Sequence, residues 1–177
     1  MRITTKELAL IVVFSSLGAT LSVPIGYLGN YLKTIPILPF GTGQILSGTH
    51  IIILTLTALY IKKPGATTMT AAIKGLVEVI LFSYHGIPVI LMSALQGLLL
   101  DAIIYILGYR DLAFYLGCGI ASASNVAFLQ FILLLPFPAS VFSFMYLLAF
   151  FSGTVFGGYC GILLHKTVEN RTEHANS

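Results

Sequence analysis

Six apolar runs, each close to the length that crosses a lipid bilayer, take up most of this 177-residue chain. They fall at about 7–27, 44–61, 65–83, 87–108, 112–135 and 141–165. A hydrocarbon layer about 30 Å thick is crossed by roughly 20 apolar residues in helical form. Only 8% of the residues are charged, whereas a soluble domain carries about 25%. That is too few to coat a surface facing water, so lipid is the solvent. In lipid every backbone polar group needs an internal partner, which leaves helices or a closed barrel. Barrel strands alternate in polarity over about ten residues, and these runs are longer and continuously apolar. The expected fold class is all-α, an integral membrane six-helix bundle forming a single domain over residues 1–177.

Helix breakers support the same division. Pro64-Gly65, His85-Gly86, Tyr109-Arg110-Asp111 and the pair Pro136 and Pro138 separate successive runs. Basic residues then set the orientation. With the N-terminus inside, Arg2, Lys6, Lys62, Lys63, Arg110, Lys166 and Arg171 are cytoplasmic, Lys33 is outside and Lys74 lies within a span. Both termini are therefore expected in the cytoplasm and the protein in the cell membrane. The first run leads into Pro24 without a convincing cleavage site and is expected to stay as the first helix. The polar tail after Lys166 is expected to fray. Cys118 and Cys160 lie in apolar surroundings and read as small packing residues. A net charge of +3 fits cytoplasmic loops and gives no nucleic-acid surface.

The segment Gly26 to Gly43 mixes Pro36, Pro39 and four glycines with aromatic and aliphatic residues. It is too broken for a helix and too apolar for a free loop. It reads as a packed outer connection or as a lid over an outward-facing site.

Polar side chains within spans are the candidate functional residues. A charge there costs at least about 2.5 kcal/mol on insertion scales and persists when it is paired or lines a cavity. The charged set is Lys74, Glu78 and Asp101; Gln44, His50, Gln96, Asn125 and Gln130 are neutral companions. Lys74 and Glu78 are four residues apart and share a helix face, so one reading is an internal ion pair that neutralises both. Lys74 and Asp101 sit at similar depths if the third and fourth helices are neighbours joined by a short turn. That depth match predicts a structural Lys74–Asp101 ion pair and leaves Glu78 to meet a ligand. Gln96, followed by Gly97, either bonds a neighbouring helix or reads a ligand's donor–acceptor edge. Asn125 carries the same ambiguity. His85, Tyr84 and Tyr146 lie near outer helix ends, where they serve as structural or belt residues or stack on a flat heterocycle. Ser15 and Ala19, or Ser16 and Thr20, give small residues at i, i+4 for internal packing or for a partner subunit.

Several chemistries find no support. There is no G-x-x-x-x-G-K-[ST] phosphate loop, no H-E-x-x-H, no C-x-x-C and no G-x-S-x-G elbow. The chain is expected to be neither an ATPase nor another enzyme, to hold no cofactor and to bind no metal. Binding or translocation of a solute is the remaining class. A stand-alone facilitator or a non-catalytic subunit of another membrane complex is the competing reading.

Lys63-Pro64-Gly65-Ala66, then Leu76-Val77-Glu78, Gly86 and Gln96-Gly97 occur at a spacing that resembles the substrate-binding S components of energy-coupling-factor transporters. The resemblance is to their YkoE-like, hydroxymethylpyrimidine/thiamine-related family, and Asp101 also falls at an acidic position of that family. It implies a membrane protein that captures a vitamin-like molecule from outside and works with a transmembrane T component and two cytoplasmic ATPases. It also implies that Ser15 and Ala19 face the T component, and it carries Glu78 and Gln96 over as family positions. At Gln44, His50, Ala71 and Lys74 the chain departs from the family pattern; the loss of carboxylates speaks against a cation such as thiamine and leaves a neutral pyrimidine or another heterocycle. Nickel and cobalt S components use an N-terminal Met-His, and residue 2 here is Arg2.

Overall fold

A computed structural model describes residues 3–32, 42–81 and 86–176. Every regular element among them is helical. The first helix, α1 (Thr5–Leu32), opens on a capping box: the Thr4 N–H donates to Glu7 Oε2 at 2.8 Å and the Glu7 N–H to Thr4 Oγ1 at 3.4 Å. It runs on through Pro24, Gly26 and Gly29 to Leu32. The expected break near residue 27 is therefore corrected, because neighbouring helices in lipid support a backbone that proline or glycine would disrupt in water. Of the expected outer connection, residues 33–41 lie outside the described residues.

The second run is not one uniform helix. It consists of α2 (Thr42–Ile45), a 3₁₀ turn (Ser47–Ile51) and α3 (Ile52–Ile61). Lys62 and Gly65 take left-handed backbone, φ 51° and 83°, to reverse the chain into α4 (Ala66–Ile80). The helices α5 (Pro88–Leu107) and α6 (Asp111–Phe131) follow. The last stretch is continuous: α7 (Ala139–Ser152), a π-helical segment (Gly153–Cys160) and α8 (Gly161–Asn176). The tail expected to fray remains helical to Asn176.

Five helical stretches among the described residues are long and apolar enough to cross a membrane. The exception is α4, with 15 residues and both Lys74 and Glu78. Large apolar side chains cover the outside; Tyr105 and Ile106 are 80% and 76% exposed. This is a surface for lipid, and the chain is a multi-pass membrane protein.

Lipid tails are as apolar as leucine, so helices associate through close packing and polar contacts. Glycines provide the close approaches. A Cβ on Gly75 would come within 2.8 Å of Ile90 Cα, and one on Gly97 within 2.6 Å of Ala71 Cβ. The buried core gathers Ile51, Leu54, Leu100, Ile104, Phe114 and Ile162 from five elements. Two ion pairs tie one end of the bundle: Lys63–Glu7 at 2.8 Å and Lys166–Asp111 at 3.5 Å.

Ser15 and Ala19 face inward. Both are fully buried, and Ser15 Oγ donates to Ile11 O at 2.7 Å and to Thr70 O of α4 at 3.0 Å. The expectation that this pair meets a partner subunit is corrected: the α1–α4 crossing uses it, while Ser16 and Thr20 stay exposed.

Candidate solute-binding cavity

The half of the bundle away from the Lys63–Glu7 end holds a cavity of about 550 Å³. Its wall draws on α1, the α2–3₁₀ region, α4, α5, α6 and α7, with Leu133, Leu135 and Phe137 of the α6–α7 connection also lining it. The volume lies within the roughly 300–1,000 Å³ common for small-molecule sites.

Lys74 and Glu78 stand in this wall on consecutive turns of α4, both 2% exposed, with Lys74 Nζ donating to Glu78 Oε1 at 2.6 Å. Lysine preceding glutamate is the weaker order for an i,i+4 helix pair, so burial beside the cavity accounts for the pairing better than helix propensity. The lysine stem lies against α1, where a Cβ on Gly18 would come within 3.1 Å of Lys74 Cδ. No other hydrogen bond to the Glu78 carboxylate is made among the described residues.

This corrects the expected Lys74–Asp101 bridge. The α4–α5 register is set where glycines let the backbones touch, Gly75 against Ile90 and Gly97 against Ala71. Asp101 thereby lands beside Thr68, about 9 Å along α4 from Lys74 at 1.5 Å per residue. There its Oδ2 accepts from Thr68 N at 2.7 Å and Thr68 Oγ1 at 2.6 Å. The N-cap of α4 is Gly65, which has no side chain to offer. Asp101 does the capping from the neighbouring helix, and its negative charge suits a helix N-terminus. Nearby Tyr109, in the α5–α6 turn, has its phenol held above the ordinary range, first by burial and second by the Asp101 charge.

Gln96 and Asn125 also line the cavity and bond each other, Gln96 Nε2 donating to Asn125 Oδ1 at 2.8 Å. The helix-bonding reading of Gln96 is thus met by one end of its amide, while the side chain also faces the cavity. Gln44 lines the same space with its Oε1 buried and without a partner among the described residues. His50 Nδ1 and Ser22 Oγ bond at 2.8 Å at the α1 side.

The remaining candidates divide. Tyr146 donates its hydroxyl to Gln130 Oε1 at 3.0 Å and packs on the Val126–Phe142 cluster; it does not itself line the cavity. Tyr84 and His85 lie outside the described residues. Ser22 and Ser93, both buried in the wall, were not anticipated. Their signal was available: Ser22 continues the inward face of Ser15, Gly18 and Ala19, and Ser93 precedes Gln96 by one helical turn.

A family model for the permease component of ABC-type cobalt transport systems matches residues 6–129, more than half of the chain. The chain belongs to that family. The matched span of this family member runs from α1 into α6 and includes Lys74, Glu78, Gln96 and Asn125. A solved structure described as "Crystal structure of an S-component of ECF transporter" superposes with a TM-score of 0.88 at 21% identity, over 97% of this chain and 88% of the other. The chain therefore has the fold of that S component. No curated protein matches it.

Proposed function

We propose that this permease-family chain is the solute-capturing S component of an energy-coupling-factor importer in the cell membrane. It would bind a small vitamin-like molecule such as hydroxymethylpyrimidine, thiamine or a related heterocycle. One observation carries this reading: the buried ion pair and the amides Gln96, Asn125 and Gln44 all line one cavity. Intramembrane polar groups are costly and mark solute pathways by default. The family's transport role and the shared fold support the same conclusion.

In this reading the Lys63–Glu7 end is cytoplasmic, following the bias of basic residues, and the cavity lies in the outer half. A T component and two ATPases would supply release and energy. The T component would meet α1 on its exposed side, where Ser16 and Thr20 lie, since Ser15 and Ala19 are committed to α4. Cobalt itself suits the cavity poorly. Among the described residues no three His, Cys, Asp or Glu side chains are grouped, and the wall offers mainly amides and hydroxyls.

The test is purification of the tagged chain from its native membrane, followed by uptake in vesicles. A second membrane subunit and ATPases should copurify, and uptake should cease when ATP hydrolysis is blocked. Robust uptake by this chain alone would overturn the proposal in favour of a facilitator.

A further inference from the structure

The cavity's own electrostatics narrow what it can hold. This step rests on the reading of the cavity as a solute site. Among the described residues its charged groups are Lys74 and Glu78, and at 2.6 Å they cancel. A cationic occupant would have to draw Glu78 away and leave Lys74 buried without a counter-charge; an anion would do the reverse. Either rearrangement strands a charge in a low-dielectric interior, which is strongly unfavourable.

The neutral groups point the same way. The Gln96–Asn125 bond uses one donor and one acceptor, leaving Gln96 Oε1 and Asn125 Nδ2 without partners among the described residues. Amide orientation is an assignment, yet the conclusion survives a flip of both groups, because the pair still leaves one acceptor and one donor. Gln44 adds an amide whose buried oxygen has no partner among the described residues. Gln96 and Asn125 thus present one acceptor and one donor to the cavity, beside the buried Gln44 oxygen, and together they match a ligand that both donates and accepts hydrogen bonds. Apolar Met92, Leu129 and Met145 supply the rest of the contact.

We propose that the cavity selects a net-neutral heteroaromatic solute with adjacent hydrogen-bond donor and acceptor groups, such as a ring carboxamide or aminoheterocycle, and discriminates against cations, anions and metal ions. The Lys74–Glu78 pair acts as a charge filter, and Gln96 with Asn125 reads the donor–acceptor edge.

The test uses detergent-purified protein dialysed against a defined mixture, with retained compounds identified by mass spectrometry. The mixture contains neutral aminopyrimidines, thiamine, Co²⁺ and the matched trio nicotinamide, nicotinate and 1-methylnicotinamide cation. The unmodified protein should retain neutral members at least about tenfold better than charged ones, a difference of about 1.4 kcal/mol. Lys74→Met should shift retention toward the cations, and Glu78→Gln toward the anions. If either variant melts too low to assay, Gln96→Leu serves instead and should lose the neutral compounds. Preferential retention of a cation, an anion or Co²⁺ by the unmodified protein overturns the charge filter and leaves the importer reading intact. Retention of no compound overturns the proposed solute class and leaves the importer reading to the copurification and uptake test. Neutral retention by a chain that never assembles with ATPases overturns the importer reading alone.

Discussion

At the residue scale, the decisive feature is a lysine and a glutamate that neutralise each other beside an open space. A buried pair of this kind adds little net stability, but stranding one member costs about 3–5 kcal/mol. Glu78→Gln is therefore expected to lower the melting temperature sharply, and Lys74→Met to do the same. Combining Lys74→Met with Glu78→Leu should recover much of the loss while relaxing the discrimination against charged solutes. Thermal unfolding in detergent checks both; a double variant as unstable as the sum of the singles would contradict the pairing. Asp101 has a different task. Asp101→Ala removes the cap from Thr68 and should cost about 1 kcal/mol, with solute affinity unchanged in a binding titration. These roles were only partly legible beforehand. The three charged residues stood out against hydrocarbon, but their pairing depends on a helix register set by Gly75 and Gly97. A depth estimate that assumed matched helix ends misplaced Asp101.

At the element scale, the second and last spans depart from regular α-helix where they cross. Gly48 of the 3₁₀ turn sits so close to Ser152 that a Cβ would collide with its carbonyl oxygen. Hydroxyls satisfy the irregular backbone: Ser152 Oγ accepts from Gly48 N at 3.0 Å and donates to Ile45 O, and Thr55 Oγ1 donates to Gly157 O at 2.8 Å. Short π segments inside helices are frequent at functional sites, and this crossing lies next to Gln44, Ser47 and His50 of the cavity wall. Thr55→Val would leave the Gly157 carbonyl without its hydroxyl partner and should cost about 1–3 kcal/mol. Gly48→Ala should prevent folding outright, checked by loss of the monodisperse peak in size-exclusion chromatography. Apolar runs reveal how much chain is in lipid, but they carry little sign of 3₁₀ or π geometry. That geometry comes from which glycines and serines meet across helices. The extension of α1 past Pro24 was hidden for the same reason, since tertiary support overrides a local breaker.

At the scale of the whole molecule, all-helical membrane architecture followed directly from the scarcity of charge and the length of the apolar runs. The convergence of Glu78, Gln96 and Asn125 on one cavity was legible in outline, because polar groups in hydrocarbon have few other reasons to persist. Which helix faces look inward was not, as Ser15 and Ala19 illustrate. If the exposed side of α1 is where a T component docks, Ser16→Phe should weaken copurification of the ATPases at least about tenfold while leaving solute retention intact. Equal copurification would place the docking surface elsewhere. The most direct test of solute capture is an experimental density map of the protein purified from its host membrane. Non-protein density touching Glu78, Gln96 and Asn125 is the expected result. A collapsed, solvent-free cavity, or a solute bound elsewhere in the bundle, would contradict it.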